Sequence, residues 1–226
     1  MNRLTIHVDR TVPNRPTVRL LIDGQDVLAG DGADQPNDAE DLLSSGALVP
    51  QDPPRRIAFY GCGCGEFGCS NVAGLVVRRG DVVEWTDFRT VTGEYHGALP
   101  IDPVPDPAVE EDVWSTALDL PTFRFDADLY DTTVRAAMTD SSWETWPRAV
   151  VRHLLRQYPD LGQRMAFWAA REGDAIEVAL HLSAADPARL EVPRGRPEAL
   201  AERLGALLDA GIGARRIADD GLWTAG

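Results

Sequence analysis

Apolar and polar positions alternate over residues 4–10 and again, less strictly, over residues 17–23, with Asp23-Gly24 supplying turn chemistry before Val27-Leu28. A period of two marks a half-buried strand, so the chain is expected to open with an antiparallel meander. Residues 30–38 are mostly Gly, Asp, Asn and Pro, a loop that ends with Asp38 placed to cap a short helix through Leu42-Leu43. Residues 56–60, 72–77 and 82–88 read as three further strands. A glycine-rich crossing joins the first two, and Arg79-Gly80-Asp81 makes a hairpin of the second and third.

From Gly97 to Pro121 five prolines and a cluster of acids reject a central strand and predict an extended linker. Beyond it, residues 122–125 form a short strand and Asp126 caps a helix whose apolar positions, Leu129, Tyr130, Val134 and Ala137, fall at helical spacing. Ser142 is placed to cap a second helix, with Pro147 in its first turns and Pro159 stopping it. Residues 165–170 and 175–182 flank Glu172-Gly173-Asp174, a hairpin signal, although the first arm also suits a helix. Pro197 opens an Ala/Leu-rich helix ending near Gly211, followed by a tail containing Trp223. The expected fold is α+β, an antiparallel sheet with helices packed on one face. Its expected organisation is a β-rich region over residues 1–98, the linker over 99–121 and an α/β region over 122–226, the whole able to pack as one domain.

Composition narrows the chemistry. A hydrophobic share of 44% and a charged share of 26% are ordinary for a globular chain. No apolar run approaches the ~18 residues of a membrane span, and the opening residues lack an apolar signal core, so the expected compartment is the cytoplasm, with no membrane partner. The net charge of −14 repels phosphate backbones and argues against nucleic acid. The arginine pairs 55/56, 78/79 and 215/216 are expected to be solvated or bonded to neighbouring carboxylates. All 22 basic residues are arginine. Schiff-base catalysis, the Walker phosphate loop, the kinase strand lysine and serine–lysine hydrolysis each need a Lys amine and therefore fall away.

The sharpest chemical signal is Cys62-Gly-Cys64-Gly-Glu-Phe-Gly-Cys69, which holds all three cysteines of the chain within eight residues. Three thiolates on a tight glycine-rich turn can occupy three corners of a zinc tetrahedron, with His96, the nearest histidine in sequence, Glu66 or water completing it. The same cluster can form a transient disulfide between Cys62 or Cys64 and Cys69, a C-x-C bridge being a strained ring. The third reading is three small buried thiols that do nothing chemical. An odd count argues against a permanent disulfide framework.

The run C-x-C-G-x-x-G-C, the Val-rich hairpin, then Val83-Glu-Trp85-Thr-Asp87-Phe88 and Phe123-Arg-Phe125-Asp126 with Tyr130, resembles a family of uncharacterised proteins from high-GC bacteria. The resemblance spans roughly residues 17 to 138 and implies a cytoplasmic bacterial origin without an activity.

Other constellations are weak. His7, His153 and His181 read as surface or half-buried residues. Asp31, Asp34 and Asp38 miss the spacing of a calcium loop, and Glu110-Glu111-Asp112 read as a solvated charge run. Neither a G-x-S-x-G elbow nor an H-E-x-x-H pair occurs. Trp143 and Trp146, three apart, are expected to share one helix face. The sequence therefore points to a non-enzymatic binding protein carrying a structural zinc at Cys62, Cys64, Cys69 and His96. One concrete form is an immunity-like inhibitor that masks a basic toxin or enzyme. The competing class is a thiol- or metal-dependent enzyme built on the same cysteines.

Overall fold

A computed structural model describes residues 1–12, 14–30, 35–62, 69–92, 95, 98–99, 115–180 and 187–223. The chain divides into two compact units: Met1–Arg10 with Pro16–Trp143, and Thr11–Arg15 with Glu144–Gly226. The fold class is α+β, as the periodicity indicates.

Unit 1 is built on antiparallel strands. The opening alternation forms β1 (Leu4–Asp9) and β2 (Thr17–Ile22), paired from Leu4↔Ile22 to Asp9↔Thr17. The third strand expected at Val27-Leu28 does not form. Asp23 and Gly24 take positive φ, 53° and 82°, and turn the chain so that Gln25 bonds straight back to Ile22. The larger sheet runs β3 (Gln35–Pro36), β4 (Arg56–Gly61), β5 (Asn71–Arg79), β6 (Val82–Val91) and β7 (Ser115–Ala117), with β8 (Phe123–Asp126) also pairing β6. The β1–β2 hairpin ties onto this sheet at two places, Asn2 bridging Phe125 and Thr17 bridging Asp38. The short helix after Asp38 is a five-residue π-turn, Glu40–Ser44, whose Glu40 N–H bonds the Asp38 carboxylate at 2.9 Å.

The sheet curls around an aromatic core. Trp85 lies 4.6 Å from Phe59, 5.2 Å from Phe125 and 6.2 Å from Tyr130, centroid to centroid. The β6 alternation that buries Val83 and Trp85 breaks before Phe88, because Asp87 forms a bulge at φ 49° opposite Gly74. A Cβ on Gly74 would stand 2.9 Å from the Phe88 ring, which is why that strand position holds glycine. Asp126 caps α1 (Ala127–Thr139) through the Leu129 N–H at 3.0 Å, as its sequence position predicts. α1 packs against β1 and β6.

Unit 2 has a three-stranded sheet, β11 (Ala188–Glu191), β10 (Ala175–Leu180), β9 (Met165–Ala169) in that order. The arm at 165–169 is thus a strand, turned by Gly173 at φ 75°. Ile176, Val178 and Leu190 share one face and join the core formed with α2 (Trp146–Gln157) and α4 (Pro197–Asp209), so the helices cover that face. α3 (Pro159–Arg164) starts at the proline expected only to stop its predecessor, and α5 (Ala214–Asp219) lies beside β11. Trp223 is docked at 2% exposure, its indole N–H on Leu200 O at 3.2 Å.

Two expectations need correcting. The units part at Trp143 and Glu144, not in the proline-rich segment, because β8 bonds β6 and α1 packs on β1, which keeps both in unit 1. Most of residues 99–121 lies outside the described residues. Trp143 and Trp146 share no helix face: α2 begins only at Trp146, leaving Trp143 in the core of unit 1 and Trp146 against that of unit 2. Ser142 accordingly caps nothing; its N–H bonds Asp140 and its hydroxyl accepts from Arg10.

Candidate functional site

The cysteine segment connects β4 to β5. The two strands are paired at Gly61↔Asn71, and one residue further out the Cys62 N–H bonds Ser70 O at 2.9 Å. That bond holds together the ends of the eight-residue run, placing Cys62 beside the residue that follows Cys69. Beneath this end of the sheet lie two buried amides. Asn37, 4% exposed, donates from Nδ2 to Ala58 O at 2.6 Å, and Asn71 is fully buried. Their Oδ1 atoms stand 3.7 Å and 3.5 Å from where a Cβ would sit on Gly61, so glycine there leaves room for the amide pair. Nearby, Tyr60 donates to Asp26 Oδ1 at 2.8 Å and accepts from the Leu20 N–H at 3.2 Å, while Arg19 pairs with Asp26 at 3.0 Å. Burial, aided by the bond to Asp26, pushes the Tyr60 phenol well above its ordinary value. It stays a neutral donor, and the strand end is rigidly tied.

The cysteines differ in state. Cys62 is disulfide-bonded, whereas Cys69 is a free, exposed thiol. Cys64 and His96 lie outside the described residues, as do Glu66 and the glycines between the cysteines. The neighbours of His96 are placed: Tyr95 packs on Ala58 and Ala73 with its hydroxyl on Arg56 O at 3.3 Å, and Ala98 O accepts from the Ala58 N–H at 2.9 Å. Both attachments are to β4, the strand that ends at the cysteines. Among the described residues no three His, Cys, Asp or Glu side chains gather as a metal-binding group. A sulfur held in a disulfide offers no thiolate, so a zinc site at Cys62, Cys64, Cys69 and His96 belongs to the reduced chain.

No family model, curated protein or solved structure matches this chain.

The remaining sequence candidates are dispersed. His7 is exposed on β1, and His153 on α2 lies 3.3 Å from Glu198 and beside Arg152. His181, Asp31, Asp34 and Glu110-Glu111-Asp112 lie outside the described residues, and Asp38 is used at the π-turn. The arginine pairs are not free basic patches. Arg56 binds Asp87, Arg78 binds Asp131, Arg79 binds Glu84 at 2.9 Å and Arg216 binds Asp220 at 3.2 Å.

Two features escaped the linear reading. The first is the buried Asn37/Asn71 pair, which carries no periodic signal. The second is the distribution of charge. The segments of unit 1 hold twenty-four carboxylates against ten arginines, the whole of the net −14, whereas those of unit 2 hold twelve of each. Six of the ten arginines of unit 1, Arg19, Arg56, Arg78, Arg79, Arg89 and Arg124, are already paired with carboxylates of the same unit. No described helix is long and apolar enough to cross a membrane.

Proposed function

We propose that this chain is a non-enzymatic binding protein whose acidic unit 1 engages a basic protein, in the manner of an inhibitor that masks a cationic toxin or enzyme. The observation that carries the reading is the confinement of the net −14 to one unit whose arginines are largely spent on internal pairs. Such a unit attracts cationic surfaces and repels phosphate. The neutral unit adds nothing to that field. The test is titration of the full chain with a panel of small basic proteins at about 0.15 M salt, beside an acidic control protein of equal charge. Micromolar or tighter binding to a panel member that the control does not match, weakening as salt rises, is the expected result. Equal, feeble binding by both proteins would sink the reading.

In the same reading Cys62, Cys64, Cys69 and His96 are the ligands of a structural zinc in the reduced chain, supported by the attachment of Tyr95 and Ala98 to β4. Elemental analysis of reduced protein tests it, with one zinc per chain and thiols that react only after chelation expected. A second reading, thiol–disulfide exchange, is favoured by the contrast between oxidised Cys62 and free Cys69. The Cys69 thiolate would attack the disulfide, forming a new S–S bond as the displaced sulfur leaves as thiolate, with no net oxidation. Alkylation mapping decides: one reactive thiol fixed at Cys69 argues against exchange, and label spread over the three cysteines argues for it.

A further inference from the structure

Leu129 belongs to the apolar set that falls at helical spacing in α1, yet the helix buries Ala127, Tyr130 and Val134 and turns Leu129 outward. Its exposure is 70%, more than that of any other large apolar side chain among the described residues except Met1. Thr132, Thr133 and Ala136 share the outward face with it, at the i, i+3, i+4, i+7 spacing by which one helix recognises another. No charged side chain falls among these four, and Thr133 gives its hydroxyl proton to Leu129 O at 2.8 Å. Solubility would put charge on such a face, above all in a unit with twenty-four carboxylates. The carboxylates beside it are of a particular kind. Among the described acids of unit 1, only Asp52, Asp81, Asp119 and Asp128 have carboxylates that enter no hydrogen bond or ion pair with a described residue. Two of these stand, exposed, at the head of α1: Asp128 in its first turn, and Asp81, whose carbonyl takes the Ala127 N–H at 3.0 Å. A cation arriving there breaks no existing pair, whereas one arriving at Glu84 or Asp131 must displace an arginine. Arg135, the one cation of the helix, lies two turns further along the flank of Asp128.

Resting on the reading of unit 1 as a binder of basic proteins, we propose that the outward face of α1 is where that partner docks. The partner presents a cationic amphipathic helix: Leu129 enters an apolar socket between its turns, and its Lys or Arg side chains reach Asp81 and Asp128. An exposed apolar anchor with charge at its rim is the usual centre of a protein interface. Leu129/Thr133 and Thr132/Ala136 form two i, i+4 ridges with short side chains at three of the four places, so a partner helix can lie close. Charge decides the kind of partner. Asp81 and Asp128 repel the phosphates of nucleic acid and of anionic lipid and attract Lys and Arg.

The probe is a peptide of about 18 residues, leucine and lysine arranged as an amphipathic helix, titrated beside the panel of basic proteins into the full chain at about 0.15 M salt. Wild-type protein is expected to bind the peptide in the micromolar range. Leu129→Ser removes the anchor and Ala136→Arg sets a cation in the middle of the face; each should weaken binding at least ~10-fold. Both residues are exposed, so neither change disturbs the core. The double variant Asp81→Asn/Asp128→Asn should lose about 5-fold and a good part of the salt dependence. Asp52→Asn/Asp119→Asn, equal in charge and likewise built on carboxylates without partners, should change affinity less than about 2-fold. Basic proteins that bind while the peptide does not, or binding that the α1 variants leave intact or that the control pair weakens as much, overturn the α1 contact and leave the reading of unit 1 standing. Binding to neither peptide nor panel sinks both. Binding to neutral phosphatidylcholine vesicles, lost on Leu129→Ser, in place of binding to the peptide, would make the face a lipid contact and overturn the proposal equally.

Discussion

Asp87 shows how much one strand residue can hold. Its positive φ makes the bulge that brings Phe88 into the core, and Arg56 grips both its carbonyl and its carboxylate while Arg89 binds the other oxygen at 3.1 Å. Burial alone would raise its pKa; the two guanidinium groups outweigh that and hold it below the usual carboxylate range. The stabilisation is therefore complete above about pH 4–5 and disappears as pH falls through the lowered native value. Asp87→Asn keeps a residue tolerant of positive φ and removes the charge. Urea midpoints from pH 2 to 7 should show a loss of about 0.5–1 kcal/mol at neutral pH, modest because the carboxylate is 40% exposed, vanishing near pH 2. Tyr130 is the buried counterpart. Its hydroxyl accepts from the Trp85 indole at 3.0 Å and donates to Leu48 O at 2.7 Å, so Tyr130→Phe strands a donor and an acceptor and should cost about 1–3 kcal/mol by denaturant titration. Neither contact could be read from the sequence, since each joins residues 45 or more positions apart. The bulge did leave a trace: Val83 and Trp85 alternate, and Phe88 falls out of phase.

At the scale of elements, most strands and the Asp126 cap were legible because each signal is local: alternation for β1 and β2, and Asp126 three residues before its N–H partner. The cysteine segment was likewise placed correctly on a strand connection. What was not legible depended on partners. Whether Val27-Leu28 becomes a strand depends on a neighbour that the Gln25 turn-back removes, and the Trp143/Trp146 pair is separated by where α2 starts. The α4 helix offers a test of packing against propensity. Alanine favours a helix over glycine by about 1 kcal/mol, yet a Cβ on Gly205 would lie 2.2 Å from the Tyr158 ring. That ring is tethered by its hydroxyl to Glu202 O at 3.2 Å. Gly205→Ala should thus lower stability by about 1–3 kcal/mol, and a rise in melting temperature would show that the ring moves aside freely.

For the whole molecule, the division of charge predicts a division of salt response. Self-repulsion weighs on unit 1 and not on unit 2. Raising salt from about 10 to 300 mM should slow hydrogen exchange in β5 and β6 several-fold while leaving α2 and α4 nearly unchanged. Equal responses would mean that internal ion pairing already neutralises unit 1. The ties of the first hairpin carry a consequence for biosynthesis. Asn2 N–H bonds Arg124 O at 2.6 Å, and Asn14 reaches Ala170 O at 2.6 Å, so residues made first are completed by residues made much later. At ribosomal speeds of 5–20 residues per second, the opening hairpin waits about ten seconds for its strand partner, and Asn14 longer still. Throughout that interval Leu4, Val18, Leu20 and Ile22, all buried in the finished fold, have no core to enter.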